Sequence, residues 1–229
     1  MSQFTGFPTD TIKFLKSLKR NNDREWFNKN KDRYESSFLE PSLQFIDAVG
    51  QELGSISKRF LAVPKKSGGS LMRIYRDTRF AKDKAPYKTN IGIHFRHEVG
   101  KDVHAPGFYV HVEPDSVFIG AGIWHPEPKV AKQIRAAIVD DPAAWKRSAR
   151  SKAFTSNFKL DGDSLKRPPR DFDAEHPLVE DLKRKDFIGV AELDESAIHD
   201  PKFAKQTVAA FKKAKPFMKF LCEAIDLPF

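Results

Sequence analysis

The sequence predicts an α+β fold: a central antiparallel sheet of four to six strands, packed by N-terminal helices and a long C-terminal helix. Three patterns predict it. Apolar residues recur at three-to-four spacing through the first quarter of the chain, the period changes to two between Leu71 and Ile123, and helical spacing returns over the last thirty residues. The 229 residues fit one domain, because single hydrophobic cores stop growing near about 250 residues. Its parts are a helical segment over 1–54, a sheet core over 70–124, and helices with two further strands over 126–229.

The first helix follows Thr9 and Asp10, whose side-chain oxygens can cap free N–H groups, and carries Ile12, Phe14, Leu15 and Leu18 on one face. Asn22 with Glu25 three residues later resembles a capping box, so a second helix is expected to run with Trp26, Phe27, Tyr34 and Phe38 to about Leu39. Pro41 suits the first turn of a third helix, with Leu43, Ile46, Val49 and Leu53 inward and Gly54 at its end. The segment from Phe60 to Ser70 holds Pro64 and Gly68-Gly69 and is expected to be a loop.

Strands are predicted over 71–76, 90–97, 108–113 and 117–123, each alternating in polarity. The turn Glu113-Pro114-Asp115-Ser116 predicts a hairpin closed by a type I turn. Pro128 opens a helix with Val130, Ile134 and Ile138, and Asp141-Pro142 opens a short one containing Trp145. Two more strands are predicted near 158–160 and 187–193, with unassigned partners and a helix near 178–184 between them. Asp200-Pro201 opens the final amphipathic helix through Phe203, Thr207, Ala210, Ala214, Phe217, Leu221 and Ile225.

Composition limits the function classes. With 40% apolar residues, including 20 Phe, the chain can bury a core and is not a disordered segment. No apolar run reaches the ~20 residues that span a bilayer, and the first residues carry no signal-peptide pattern, so no membrane partner is expected. Cys222 is the one thiol, which removes intramolecular disulfides and thiolate zinc sites and agrees with a reducing, cytoplasmic location. The net charge of +9 permits anionic partners without requiring them.

The densest feature is RIYRDTRFAKDKAPYK, which sets Arg73, Arg76, Arg79, Lys82, Lys84 and Lys88 against Asp77 and Asp83. Two like charges about 6 Å apart at an effective dielectric near 20 repel by roughly 3 kcal/mol, so an ordered cluster needs carboxylates, hydration or a bound anion. Arg grips phosphate or carboxylate with two N–H groups and Lys adds a mobile point charge, so an anion site is one expectation; a solvated loop of weak ion pairs is the other.

Alternation adds a second feature. In NIGIHFRH, Ile91, Ile93 and Phe95 share one face and leave His94 and Arg96 on the other; in FYVHVE, Tyr109, His111 and Glu113 oppose Phe108, Val110 and Val112. Neighbouring strands can therefore present His94, Tyr109 and His111 on one polar surface. Those histidines have the chemistry of general acid–base groups or, with Glu113, of metal ligands. No spacing matches a two-His helix motif, so an ordinary hydrated face is preferred and no metal is expected. Cys222 is expected to be buried and inert, and Trp124 a packed aromatic at a strand end rather than a stacking platform. Gly120 and Gly122 close a strand and form no dinucleotide fingerprint, and neither a phosphate-binding Gly-Lys-Ser/Thr loop nor a Gly-x-Ser-x-Gly elbow occurs.

The stretches NNDREWFNKNKDRY, RIYRDTRFAKDKAPYKT, PGFYVHVEPDSVFIGAGIW and LKRPPRDFD resemble the bacterial family called domain of unknown function 2461, along nearly the whole chain. The resemblance implies one domain and a bacterial origin, and carries no activity or cofactor. Its signature positions, Arg76, Asp77, Arg79, Phe80, Lys82, Asp83, Lys84, Pro86, Tyr87 and Lys88, coincide with the charged segment. The leading expectation is a phosphorylated or carboxylated small molecule bound by Arg73, Arg76, Asp77, Arg79, Lys82, Asp83, Lys84, Tyr87 and Lys88 beside His94, Tyr109 and His111. Nucleic-acid binding by an extended basic surface, and an internally salt-bridged structural module, are the alternatives.

Overall fold

The structure, a computed structural model, describes residues 3–100 and 104–229. Five antiparallel strands form one sheet: β1 Ile91–Arg96, β2 Gly107–Glu113, β3 Ser116–Ile123, β4 Lys159–Asp161 and β5 Phe187–Leu193, in the order β1-β2-β3-β5-β4. Registers such as Ile93↔Val110, Val110↔Ile119 and Ile119↔Ala191 stack apolar residues on a single face.

The N-terminal quarter is helical: α1 Asp10–Arg20, α2 Arg24–Lys29, α3 Lys31–Tyr34 and α4 Glu40–Leu53. Phe14, Leu15 and Leu18 of α1 and Phe45, Ile46 and Val49 of α4 are fully buried. α5 Pro128–Asp140, α6 Pro142–Ala149, α7 Lys152–Thr155 and α8 Val179–Leu182 connect the strands, and α9 Phe203–Glu223 closes the core. On α9, Phe211 packs 4.6 Å from Phe108 of β2, and Phe217 lies 5.8 Å from Trp145 of α6. No helix of the described residues is long and apolar enough to cross a membrane.

Four local expectations are corrected. The N-cap of α2 is Asp23, which accepts Trp26 N–H at 2.8 Å. Asn22 instead bonds the backbone of Tyr87 twice, donating to its carbonyl at 2.9 Å and accepting its N–H at 3.0 Å, a peptide-like pairing that a capping motif could not reveal. Second, no break precedes Pro41: a π-helical turn at Glu35–Leu39 joins α3 to α4, because Pro41 sits in the first turn of α4, where no N–H is needed.

Third, Leu71–Arg76 is not a strand. It touches the sheet edge only at Leu71↔Ile93 and then forms a hairpin closed at Tyr75↔Tyr87, with Arg76 N–H donating to the Pro86 carbonyl and Lys88 N–H to the Ile74 carbonyl. Alternation there reflects a side-on brace against β1. Fourth, the β2–β3 turn places Asp115 at φ 66, the sign a type II turn and not a type I turn needs at its third position.

Candidate functional site

The second face of the sheet carries Gly92 and His94 of β1, Gly107, Tyr109, His111 and Glu113 of β2, Phe118, Gly120 and Gly122 of β3, and Ile188, Val190 and Glu192 of β5. A groove of about 920 Å³ runs over this face, and none of the described residues lining it is helical. Met72, Lys88 and Asn90 wall one part; Trp124 and Asp161 contribute elsewhere.

Glycine makes the floor. A Cβ at Gly107 would lie 2.0 Å from His94 Nε2, so the His94 ring occupies the space over Gly107. A Cβ at Gly92 would meet the Tyr109 hydroxyl at 2.8 Å and Met72 Sδ at 3.0 Å, so both groups close over Gly92. A Cβ at Gly120 would meet Tyr109 carbons at 3.5 and 3.8 Å and the Gly189 carbonyl at 4.0 Å, all ordinary contacts, so this patch of floor has room above it.

Three outward residues of β2 form a hydrogen-bonded series. Tyr109 Oη lies 3.1 Å from His111 Nδ1, and His111 Nε2 lies 3.4 Å from Glu113 Oε2. The other Glu113 oxygen accepts from Thr89 Oγ1 at 3.0 Å and pairs with Lys19 Nζ of α1 at 3.7 Å. A carboxylate beside Nε2 favours the proton on that nitrogen, leaving Nδ1 to accept from the Tyr109 hydroxyl. His111 also stacks on Phe118, with ring centroids 4.6 Å apart. Burial pushes the Tyr109 hydroxyl up to about 12, with the Glu113 charge adding to it. Burial likewise holds His111 below the usual histidine range, outweighing the upward pull of Glu113, which favours the neutral ring.

Of the cationic segment, Lys88 reaches the groove. Burial, and then the nearby Arg73 charge, depress its ammonium below the ordinary lysine value. No carboxylate among the described residues pairs with it. Arg73, Arg76, Arg79, Lys82 and Lys84 do not line the groove, so the segment does not converge on one hollow. Its two carboxylates neutralise two of its arginines. Arg76 binds Asp83 at 2.5 Å and the Ala85 carbonyl at 3.2 Å, and Arg79 forks onto Asp77 at 2.7 and 3.0 Å. The Arg79 contact holds the Asp77 carboxyl down at about 2, and Arg76 lowers Asp83. Lys84 donates to the Thr78 carbonyl at 3.0 Å. Tyr87 is a core residue, 3% exposed and stacked on Phe27 at 4.2 Å. At the hairpin tip Phe80 is 95% exposed beside Arg79.

Sequence reasoning placed His94, Tyr109 and His111 on one face, and the structure brings them together with Lys88. It missed Phe118, Asn90, Met72 and Glu192. The signal for Phe118 was present, since inward Val117, Ile119 and Ala121 leave Phe118 outward by the same period of two. Trp124, expected to pack, is a rim residue 48% exposed, stacked between His104 and His125 at 6.0 and 4.1 Å. Cys222 is fully buried, and burial pushes its thiol up to about 12. Among the described residues no group of three or more His, Cys, Asp or Glu is placed to hold a metal ion.

A family model described as "Conserved hypothetical protein (DUF2461)" matches residues 10–220. No curated protein matches the chain, and no solved structure does.

Proposed function

The chain belongs to the DUF2461 family of conserved hypothetical proteins, and on that footing we propose that it binds a small anionic molecule, bearing a phosphate or carboxylate, in the groove over its open sheet face. One observation carries this proposal: a half-buried Lys88 ammonium, depressed by burial and by Arg73, faces the groove with no carboxylate partner among the described residues. A desolvated, unpaired cation is costly until an anion joins it. Asn90 and His94 line the same wall and offer hydrogen bonds to the anion's remaining oxygens. The apolar surface of Phe118, Ile188 and Val190 suits the body of an organic ligand. The reducing cytoplasm belongs to the same proposal, since Cys222 has no second cysteine to pair with.

Thermal melting with inorganic phosphate, pyrophosphate, acetate and citrate tests it. A ligand at a hundredfold excess over its Kd stabilises by about 2.7 kcal/mol, which for a chain of this size raises Tm by about 5–11 °C. At least one anion is expected to do so, and Lys88→Met is expected to abolish the rise. An anion panel that leaves Tm unchanged, or a rise that survives Lys88→Met, overturns the proposal.

A second proposal, single-stranded nucleic-acid binding, is favoured by Phe80, a fully presented ring beside Arg79, with Lys82 and Lys84 near in sequence, that could stack on a base. A fluorescent oligonucleotide that binds at low salt, weakens steeply with added salt and is lost in Phe80→Ala supports it; no binding at low salt ends it.

A further inference from the structure

Tyr109, His111 and Glu113 occupy three successive outward positions of a central strand, and their polar atoms are ordered in one direction. The two ends of the series differ. Glu113 is fastened from outside the strand by Thr89 and by Lys19 of α1, while Tyr109 at the other end opens on the groove beside Lys88, His94 and Phe118.

We infer that these residues form a proton relay that makes the groove an active site, in which water held at Tyr109 Oη is activated to hydrolyse an ester whose anionic end lies against Lys88. The inference rests on the anion-binding proposal for its substrate class, but not for the relay. As the water oxygen bonds to the electrophilic phosphorus or carbonyl carbon, the water proton passes to Tyr109 Oη. The Tyr109 proton passes in the same step to His111 Nδ1. The imidazolium so formed is stabilised by the Glu113 carboxylate, which keeps Nε2–H pointed away from the groove. The ester bond then breaks, and the leaving oxygen recovers a proton from His111 by the reverse path, so the enzyme returns to its starting state. Tyr109 touches the reacting water; His111 is the base, and Glu113 is a positioning residue. The charged or titratable groups around His111 are Tyr109 and Glu113 on its own strand, Lys19 behind Glu113, and Lys88, His94, Asp115, Asp161 and Glu192 along the groove.

The test uses the full chain with p-nitrophenyl phosphate as the anionic probe and p-nitrophenyl acetate as the neutral one. Wild type is expected to turn over at least one, and Tyr109→Phe and His111→Gln to lose about 100-fold or more, the range expected for a general base. Glu113→Gln is expected to shift the acid limb of the pH profile to lower pH, because the lost carboxylate no longer raises His111. Lys88→Met is expected to slow the phosphate ester and spare the acetate. Failure of Lys88→Met to discriminate, with Tyr109→Phe still inactive, overturns the anion-binding proposal and keeps the relay. Anion binding without turnover of either ester, or full activity in Tyr109→Phe, overturns the relay. Imidazole nitrogen NMR of wild type gives a check that no variant can spoil: His111 protonated on Nε2 at pH 8 is expected, and protonation on Nδ1 overturns the relay.

Discussion

Gly107→Ala probes the coupling between the sheet and the groove. The added Cβ would lie 2.0 Å from His94 Nε2, 2.7 Å from Cδ2 and 3.0 Å from Cε1, so the whole edge of the ring blocks it. The strand backbone is held by ladders to both neighbours, Arg96↔Gly107 on β1 and Gly107↔Gly122 on β3, so the ring must move and not the chain. His94 is 9% exposed, which leaves its ring only the groove to enter. Overpacking of this kind costs about 1–3 kcal/mol, which lowers Tm by about 2–12 °C. Urea melts of wild type, Gly107→Ala, His94→Ala and the double variant give the coupling directly. If the ring is the obstacle, the double variant is about as stable as His94→Ala, and the cycle returns a coupling near the full cost of Gly107→Ala. The reasoning is refuted if Gly107→Ala melts with wild type, or if the two effects add.

Other outcomes follow from the same contacts. Arg135 of α5 is 7% exposed and donates to the Leu182 and Arg184 carbonyls at 2.7 and 2.6 Å, so Arg135→Met leaves two acceptors unmet and is expected to cost about 2–6 kcal/mol in a urea melt; a change under about 0.5 kcal/mol would contradict this. Arg76→Ala combined with Lys84→Ala breaks the exposed Arg76–Asp83 and Lys84–Thr78 contacts and the part-buried Arg76–Ala85 carbonyl bond, and is expected to lower Tm by only a few degrees, whereas a collapse in Tm would favour the structural role of the hairpin. The Arg33 guanidinium at 2.6 Å, helped by Ser37, holds the Asp10 carboxyl below its ordinary 3.8. That carboxyl therefore contributes stability above pH 3.8, and the contribution is lost as pH falls through the folded value. Stability–pH profiles of wild type and Asp10→Asn should converge on acidification, and parallel profiles would refute the assignment.

The binding proposal and the relay proposal use one surface in different ways. Lys88 supplies charge where burial makes charge expensive, and Tyr109 supplies a hydroxyl whose neighbour can hold a proton. Both depend on a sheet face that the helices leave open, floored by residues too small to fill it.

By itself the sequence determined what local periodicity and local chemistry can carry. The three-to-four spacing of Ile12, Phe14, Leu15 and Leu18 placed α1, and the alternation through Ile91–Phe95 and Phe108–Val112 set which side of β1 and β2 meets the core. The same alternation put His94, Tyr109 and His111 on the opposite face. Tertiary structure decided the rest, because pairing between distant segments leaves no periodic trace in either one. The insertion of β5 between β3 and β4 brought Val190 and Glu192 to the groove. Asn22 claimed the backbone of Tyr87 across 65 residues and turned that ring inward. Charge was the least legible property: Asp77 and Asp83 cancel Arg79 and Arg76 through contacts that spacing cannot specify, while Lys88, half-buried next to β1, has no carboxylate partner among the described residues.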